Sequence, residues 1–159
     1  MSLLLKNLVF TVLVPGTVAV YLPLWIARGG GPSSVWSAAP ALLAFVVGGA
    51  VYAWCVWDFA TFGRGTPAPI DAPSRLVARG LYRYTRNPMY VGVLTVLLGW
   101  VIWFQTAALV FYTLLAGTAF HLFVVLYEEP HLQREFGDSY ASYRARVGRW
   151  LPRLERRRD

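Results

Sequence analysis

The chain has 159 residues, 57% of them hydrophobic and only 14% charged, with a formal net charge of +7. A soluble domain carries about 25% charged residues, and here the basic residues lie between and after long apolar runs. That distribution excludes the basic stripe of a nucleic-acid-binding domain and suits a membrane protein facing an anionic leaflet. The single cysteine, Cys55, excludes an internal disulfide and a cysteine-based zinc site; it reads as a small buried hydrophobe.

Four apolar segments follow one another, at residues 8–27, 39–60, 89–104 and 107–127. A helix needs about 20 apolar residues to cross a hydrocarbon core of about 30 Å, which the first, second and fourth satisfy. Pro15 and Pro23 interrupt the first segment, but neighbouring helices can satisfy the carbonyls that proline frees inside a membrane. This segment also lacks the strongly basic leader and the cleavage site of a signal peptide, so it is expected to stay as a span. The third segment is short. Only Gln105 and Thr106 separate it from the fourth, which predicts a tight helical hairpin. Beyond it, Leu132, Phe136, Tyr140, Tyr143 and Val147 recur at three- and four-residue spacing. They predict an amphipathic helix lying on the membrane or on the protein. Residues 153–159 read as a flexible basic tail. The expected fold is therefore all-α: a single domain over residues 1–159, a polytopic membrane helical bundle of about four transmembrane helices. It has a tight hairpin of the third and fourth helices and a C-terminal amphipathic cytoplasmic helix.

Three polar features stand out against this background. In "RNPMY", Asn87 is a preferred helix N-cap and Pro88 suits the first helical position. The same helix start is an anion site, with free N–H groups and a partial positive charge; Arg86 strengthens that field, and Tyr82 and Tyr90 add hydroxyls and ring faces. In "YEEPH", Glu128 and Glu129 stand where the fourth segment ends, with Pro130 as its breaker. The macrodipole disfavours carboxylates at a helix C-terminus, so this pair calls for a cation or a hydroxyl-rich partner. The third feature is His121, an ionisable residue within an apolar span and hence a functional candidate; the structural alternative is a neutral histidine bonded to a neighbouring helix. Asp58 reads as the partner of a loop arginine. Adjacent carboxylates with one histidine are weak grounds for a metal site, and none is expected. A ligand that matches this outline carries a carboxylate, a cation, ribose hydroxyls and an aromatic base. S-adenosylmethionine has all four; the outline also tolerates a nucleotide, as in a membrane reductase that uses NADPH.

The stretch "GLYRYTRNPMYVG" and the later "EEPHLQREFGDSYASYRARVGRWLP" resemble the integral-membrane methyltransferases, the group of the isoprenylcysteine carboxyl methyltransferases and the phospholipid N-methyltransferases. The family pattern is G-[IL]-Y-x-x-x-R-[HN]-P-x-Y-x-G, then E-E-x-x-L-x-x-x-[FY]-G-x-x-Y-x-x-Y, then a proline; the resemblance covers residues 74–152. It implies that S-adenosylmethionine is bound at the cytoplasmic face by Ser74, Arg75, Leu76, Val77, Tyr82, Asn87, Pro88, Met89, Tyr90 and Glu128. It further implies a lipid or apolar small-molecule acceptor that arrives sideways from the bilayer. Two positions depart from the isoprenylcysteine enzymes: Asn87 replaces histidine, and Val124 stands where those enzymes place an arginine for the substrate carboxylate. Both argue against an isoprenylcysteine acceptor. Direct displacement at an activated methyl group requires chiefly that donor and acceptor be held in line. Arg86, Glu129 and His121 are the catalytic candidates, the last two as base if the acceptor is a protonated amine.

Of the fifteen lysines and arginines, only Arg28 falls on the side of the bundle opposite the motifs. The positive-inside rule then puts both termini in the cytoplasm. On a Cys55→Ala background, a cysteine introduced in the tail should react with an impermeant thiol reagent only after the membrane is opened. Labelling in intact cells would reverse the topology.

Overall fold

The computed structural model describes residues 3–28, 34–63 and 76–153, with side chains from residue 8 onward. Arg64, Ser74, Arg75 and residues 154–159 of the tail lie outside the described residues. Among the described residues there is no strand, and six α-helices follow one another: α1 (Leu3–Leu13), α2 (Leu22–Ala27), α3 (Val35–Asp58), α4 (Pro88–Phe104), α5 (Ala107–Phe123) and α6 (Glu129–Arg146). Wider π-turns join α1 to α2 at Thr17–Tyr21, extend α3 at Phe59–Gly63 and join α5 to α6 at Val124–Glu128. Among the described residues, three helical stretches are long and apolar enough to cross a membrane: Leu8–Ala27, Val35–Gly63 and the apolar part of Ala107–Arg146. At 17 residues, α4 is a shorter apolar helix of about 25 Å. The protein is an all-α integral membrane bundle.

Local chemistry accounts for the main boundaries. Ser34 and Ser37 form a reciprocal capping box at the start of α3, each side chain accepting from the other's backbone N–H at 3.2 and 3.3 Å. The α4–α5 hairpin turns on Gln105, whose φ of 51° and ψ of 38° end α4 in the left-handed region. Pro15 does not stop the first span. The chain instead widens into the π-turn at Thr17–Tyr21, where carbonyls leave the regular ladder. Two of them accept from other helices, Ala19 O from Trp100 Nε1 at 2.7 Å and Val18 O from Tyr112 Oη at 2.8 Å. The irregularity thus pins the first span to α4 and α5 and keeps its polar groups satisfied inside a membrane.

The tightest helix crossing is α3 on α4. A Cβ at Gly48 would lie 2.6 Å from Gly92 O, and one at Gly92 would lie 2.9 Å from Gly48 O, so the two backbones touch through paired glycines, a mode of packing common between membrane helices. Phe45 packs on Trp100 one turn away, with ring centroids 4.6 Å apart. Elsewhere, α6 carries most of the predicted apolar face: Tyr140 and Tyr143 are buried together with Val147, which follows the helix in extended conformation, and they pack against Leu76, Leu132 and Phe136. That face rests on the protein. It is bent at Gly137 (φ 50°, ψ −124°), a conformation open to glycine and unforeseen from the periodicity.

Gly48→Ala should lower stability by about 1–3 kcal/mol through overpacking, read as a lower thermal midpoint in detergent. Gly49→Ala is the control, since a Cβ there meets nothing within 4 Å; equal losses in both variants would discount the glycine contact.

Candidate functional site

The turn from Gly80 to Asn87 is held from both sides. On the α3 side, Asp58 is buried and pairs with Arg79 (Oδ1 to Nε 3.2 Å), the loop arginine its position called for. Gly80 has a φ of +55°, and a Cβ there would collide with the Asp58 carboxylate, so glycine is required twice over. Tyr82, in the 3₁₀ turn Gly80–Arg83, is buried edge-on against Phe59 at 5.6 Å. Burial pushes its phenol well above the ordinary range, so it is neutral. Its carbonyl accepts from Tyr143 Oη at 2.7 Å.

On the other side lies the strap, residues 147–150, which follows α6. Gly148 O accepts from Arg86 N at 2.9 Å, and Arg149 O accepts from Thr85 Oγ1 at 2.9 Å and from Asn87 Nδ2 at 3.0 Å. Asn87 therefore occupies the N-cap position of α4 without capping it through its side chain. Its side-chain amide instead donates to the strap carbonyl, which directs the side chain toward the strap. Pro88 is the first residue of α4, as expected.

The carboxylate pair is also placed differently from the sequence expectation. The helix does not end before it, and Pro130 does not break it. The Val124–Glu128 π-turn carries the chain into α6, where Pro130 sits in the first turn and needs no N–H partner. The macrodipole conflict disappears because no helix end is exposed there. The two carboxylates point to different partners. Glu128 accepts from Tyr90 Oη at 3.0 Å. Glu129 receives Arg149 Nε at 2.7 Å and Nη2 at 3.0 Å, and Arg86 Nη1 at 3.0 Å. Arg86 Nη1 also donates to Tyr140 Oη at 3.1 Å. The hydrogen-bonded Glu129 carboxylate raises the pKa of the Arg149 guanidinium above its usual value.

These elements enclose a cavity of about 700 Å³, within the range that holds a small molecule or cofactor. One end is polar. Leu76, Val77, Tyr82, Arg86, Asn87, Met89, Tyr90, Glu128 and Glu129 all line the cavity, so nine of the residues singled out in the sequence meet there. Pro88 is buried and is not part of the lining. His121 is also absent from the lining; its Nδ1 accepts from Trp150 Nε1 at 3.1 Å, a partner from the strap in place of the helix neighbour considered above. The other end is apolar, walled by Phe10, Val14 and Val18 of the first span, Val93 of α4, and Phe120 and Phe123 of α5. Sequence reasoning missed this wall, Tyr52 on α3, and the strap residues Arg149 and Trp150. Arg149 had only its place in "VGRWLP" to mark it.

Fold and cavity define a membrane-embedded helical protein with a small-molecule chamber lined by both polar and apolar side chains. Residues 36–139 match the profile of the phospholipid methyltransferase family, and the chain belongs to that family. It is 40% identical over 78 residues to methanethiol S-methyltransferase 2 of Bradyrhizobium diazoefficiens, covering 49% of this chain and 29% of that enzyme. Over 69 residues it is 38% identical to a phosphatidylethanolamine N-methyltransferase of Ajellomyces capsulatus, 43% of this chain and 7% of that one. An uncharacterized protein of Haemophilus influenzae is 32% identical over 63 residues, 40% of this chain and all of that protein. The chain thus spans less than a third of either named enzyme.

Proposed function

We propose that the protein transfers a methyl group from S-adenosylmethionine to a lipid or apolar small-molecule acceptor that reaches the site from the bilayer. The observation that carries this reading is a chamber whose wall joins Arg86, Asn87, Tyr90 and Glu128 to apolar side chains of the first span, α4 and α5. The polar end suits the cofactor. Glu128 offers a carboxylate to hydroxyls or to a cation. Arg86 offers a cation to a carboxylate, and its Nε is buried without a hydrogen-bond partner among the described residues. Tyr82 and Tyr90 offer ring faces. Leu76, Val77, Asn87 and Met89 complete the wall, with Ser74 and Arg75 preceding them in the chain.

The bound cofactor supplies a methyl group already activated on a sulfonium. The protein's own part is to bind, orient and keep water out, which raises the fraction of encounters in a reactive alignment. Tyr90 holds Glu128 toward the polar end. Tyr82, Tyr140 and Tyr143 form part of the wall beneath the strap. Glu129 is a poor base in this arrangement, because taking up a proton would weaken its ion pairs with Arg86 and Arg149. An acceptor that arrives as a thiolate, carboxylate or free amine needs no base. By their names, the two enzyme relatives act on a small thiol and a phospholipid amine, both within the acceptor class proposed. The arginine distribution supports a polar end that faces the cytoplasm.

Detergent-solubilised protein should bind S-adenosylmethionine in preference to NADPH, and Glu128→Gln should weaken that binding by more than about tenfold, or about 1.4 kcal/mol. Unchanged affinity in the folded variant would remove Glu128 from the site.

With methyl-labelled cofactor and a total membrane lipid extract, label should appear in the organic phase. Label confined to a panel of water-soluble acceptors would overturn access from the bilayer.

A further inference from the structure

We propose that Arg149 is a positioning residue of the cofactor end: from outside the chamber, it sets the orientation of Glu128 and of the turn at residues 85–87. The inference rests on the cofactor reading above and goes beyond it. Arg149 follows the family match, which ends at residue 139, and it is absent from the cavity lining. Yet it engages both halves of the polar end. Its carbonyl accepts from Thr85 Oγ1 and Asn87 Nδ2, which fixes the start of α4 and so the base of Tyr90. Its guanidinium grips both oxygens of Glu129, a two-point geometry that fixes rotation as well as distance.

Rotation is what matters here. Glu128 and Glu129 are successive residues at the junction of the π-turn and α6, so their side chains point about 100° apart. A π-turn is a soft place for the helix to rotate, because its ladder is already irregular. With Glu129 held by Arg149, its neighbour is directed toward Tyr90, and the Glu128–Tyr90 hydrogen bond closes at 3.0 Å. Arg86 cannot replace this hold. It reaches only one Glu129 oxygen, through the same Nη1 that donates to Tyr140. One residue therefore brings the start of α4 and the start of α6 into register, and those are the two elements that present Tyr90 and Glu128.

The test is equilibrium binding of S-adenosylmethionine to the full chain in detergent, with a thermal melt of each variant. Arg149→Gln should raise Kd by about tenfold or more, since it removes the two-point hold on Glu129 and leaves only the Arg86 contact to orient that carboxylate. Arg149→Lys keeps the charge but loses the two-point grip, and should rescue part of the loss, to within about threefold of the natural protein. Combining Arg149→Gln with Glu129→Gln should add less than about twofold, because residues acting through one contact are not additive. Arg149→Gln binding as tightly as the natural protein would overturn the inference. So would single losses that multiply in the double variant, or a lysine variant as impaired as the glutamine one. Should Arg149→Gln not fold, the same reading is taken from Arg149→Lys: a Kd indistinguishable from that of the natural protein overturns the proposal and a small rise supports it. Failure of the natural protein to bind the cofactor would instead count against the proposed function.

Discussion

The Glu129 carboxylate, shared between Arg86 and Arg149, is the contact on which the rest of the polar end depends. Its side chain and that of Arg86 are only 8% and 7% exposed. Removing one partner from a pair buried to this degree typically costs about 3–5 kcal/mol, because it strands the other charge away from water. The three groups come from the turn before α4, the start of α6 and the strap after α6, which are far apart in the sequence. Tying them together closes the strap over the turn and leaves Tyr140 and Tyr143 as part of the cavity wall. It also resolves an apparent anomaly, two adjacent carboxylates in a largely apolar helical protein: Glu129 ties the turn before α4 to the strap through its ion pairs, and Glu128 is left bonded to Tyr90 at the chamber wall.

Backbone irregularity is concentrated at the chamber. The Thr17–Tyr21 turn follows Pro15 and includes the lining residue Val18, while the Val124–Glu128 turn ends at Glu128; Phe59 of the third π-turn lines the wall as well. In hydrocarbon, non-helical backbone survives only where it is buried in protein or lines a cavity. Trp100 and Tyr112 satisfy the carbonyls of the first turn. By contrast the α3–α4 crossing, close-packed through Gly48 and Gly92, is regular helix and serves as the stiff floor. The protein therefore combines a rigid helix pair with softer turns at the places where a ligand would be held.

What could be read from the sequence was local. The four apolar runs, the two-residue hairpin at Gln105 and Thr106, and the face of Leu132, Phe136, Tyr140 and Tyr143 all follow from local spacing and all appear in the structure; Val147 joins that cluster from extended backbone just past the end of α6. Grouping Tyr82, Arg86, Asn87, Tyr90 and Glu128 required only that α4 and α5 run antiparallel. What could not be read was set by distant partners. Asn87 does not cap α4 but turns its side chain toward the strap, where its amide donates to Arg149 O. The break at Pro130 vanishes because a π-turn absorbs it. His121 lies within an apolar span yet meets Trp150 of the strap, a contact that no spacing within α5 encodes. The bend at Gly137 was hidden by a periodicity that survives it.

The two ends of the chamber draw on different parts of the chain. The polar end is built by residues 76–90 and 128–143, which carry the motif. The apolar end depends on Phe10, Val14 and Val18, which precede the family match at residue 36. On the proposed reading, the chemistry common to the family is set in the second half of the chain, and the choice of acceptor is set largely by the first span. That division is physically economical. Changing the volume of an apolar wall alters which tail fits, at the few kcal/mol that a methylene or ring is worth, and leaves the ion-pair network untouched. The π-turn that follows Pro15 belongs to the same division: it includes Val18, so a backbone irregularity of the first span contributes directly to the chamber wall, alongside Phe120 and Phe123 of α5.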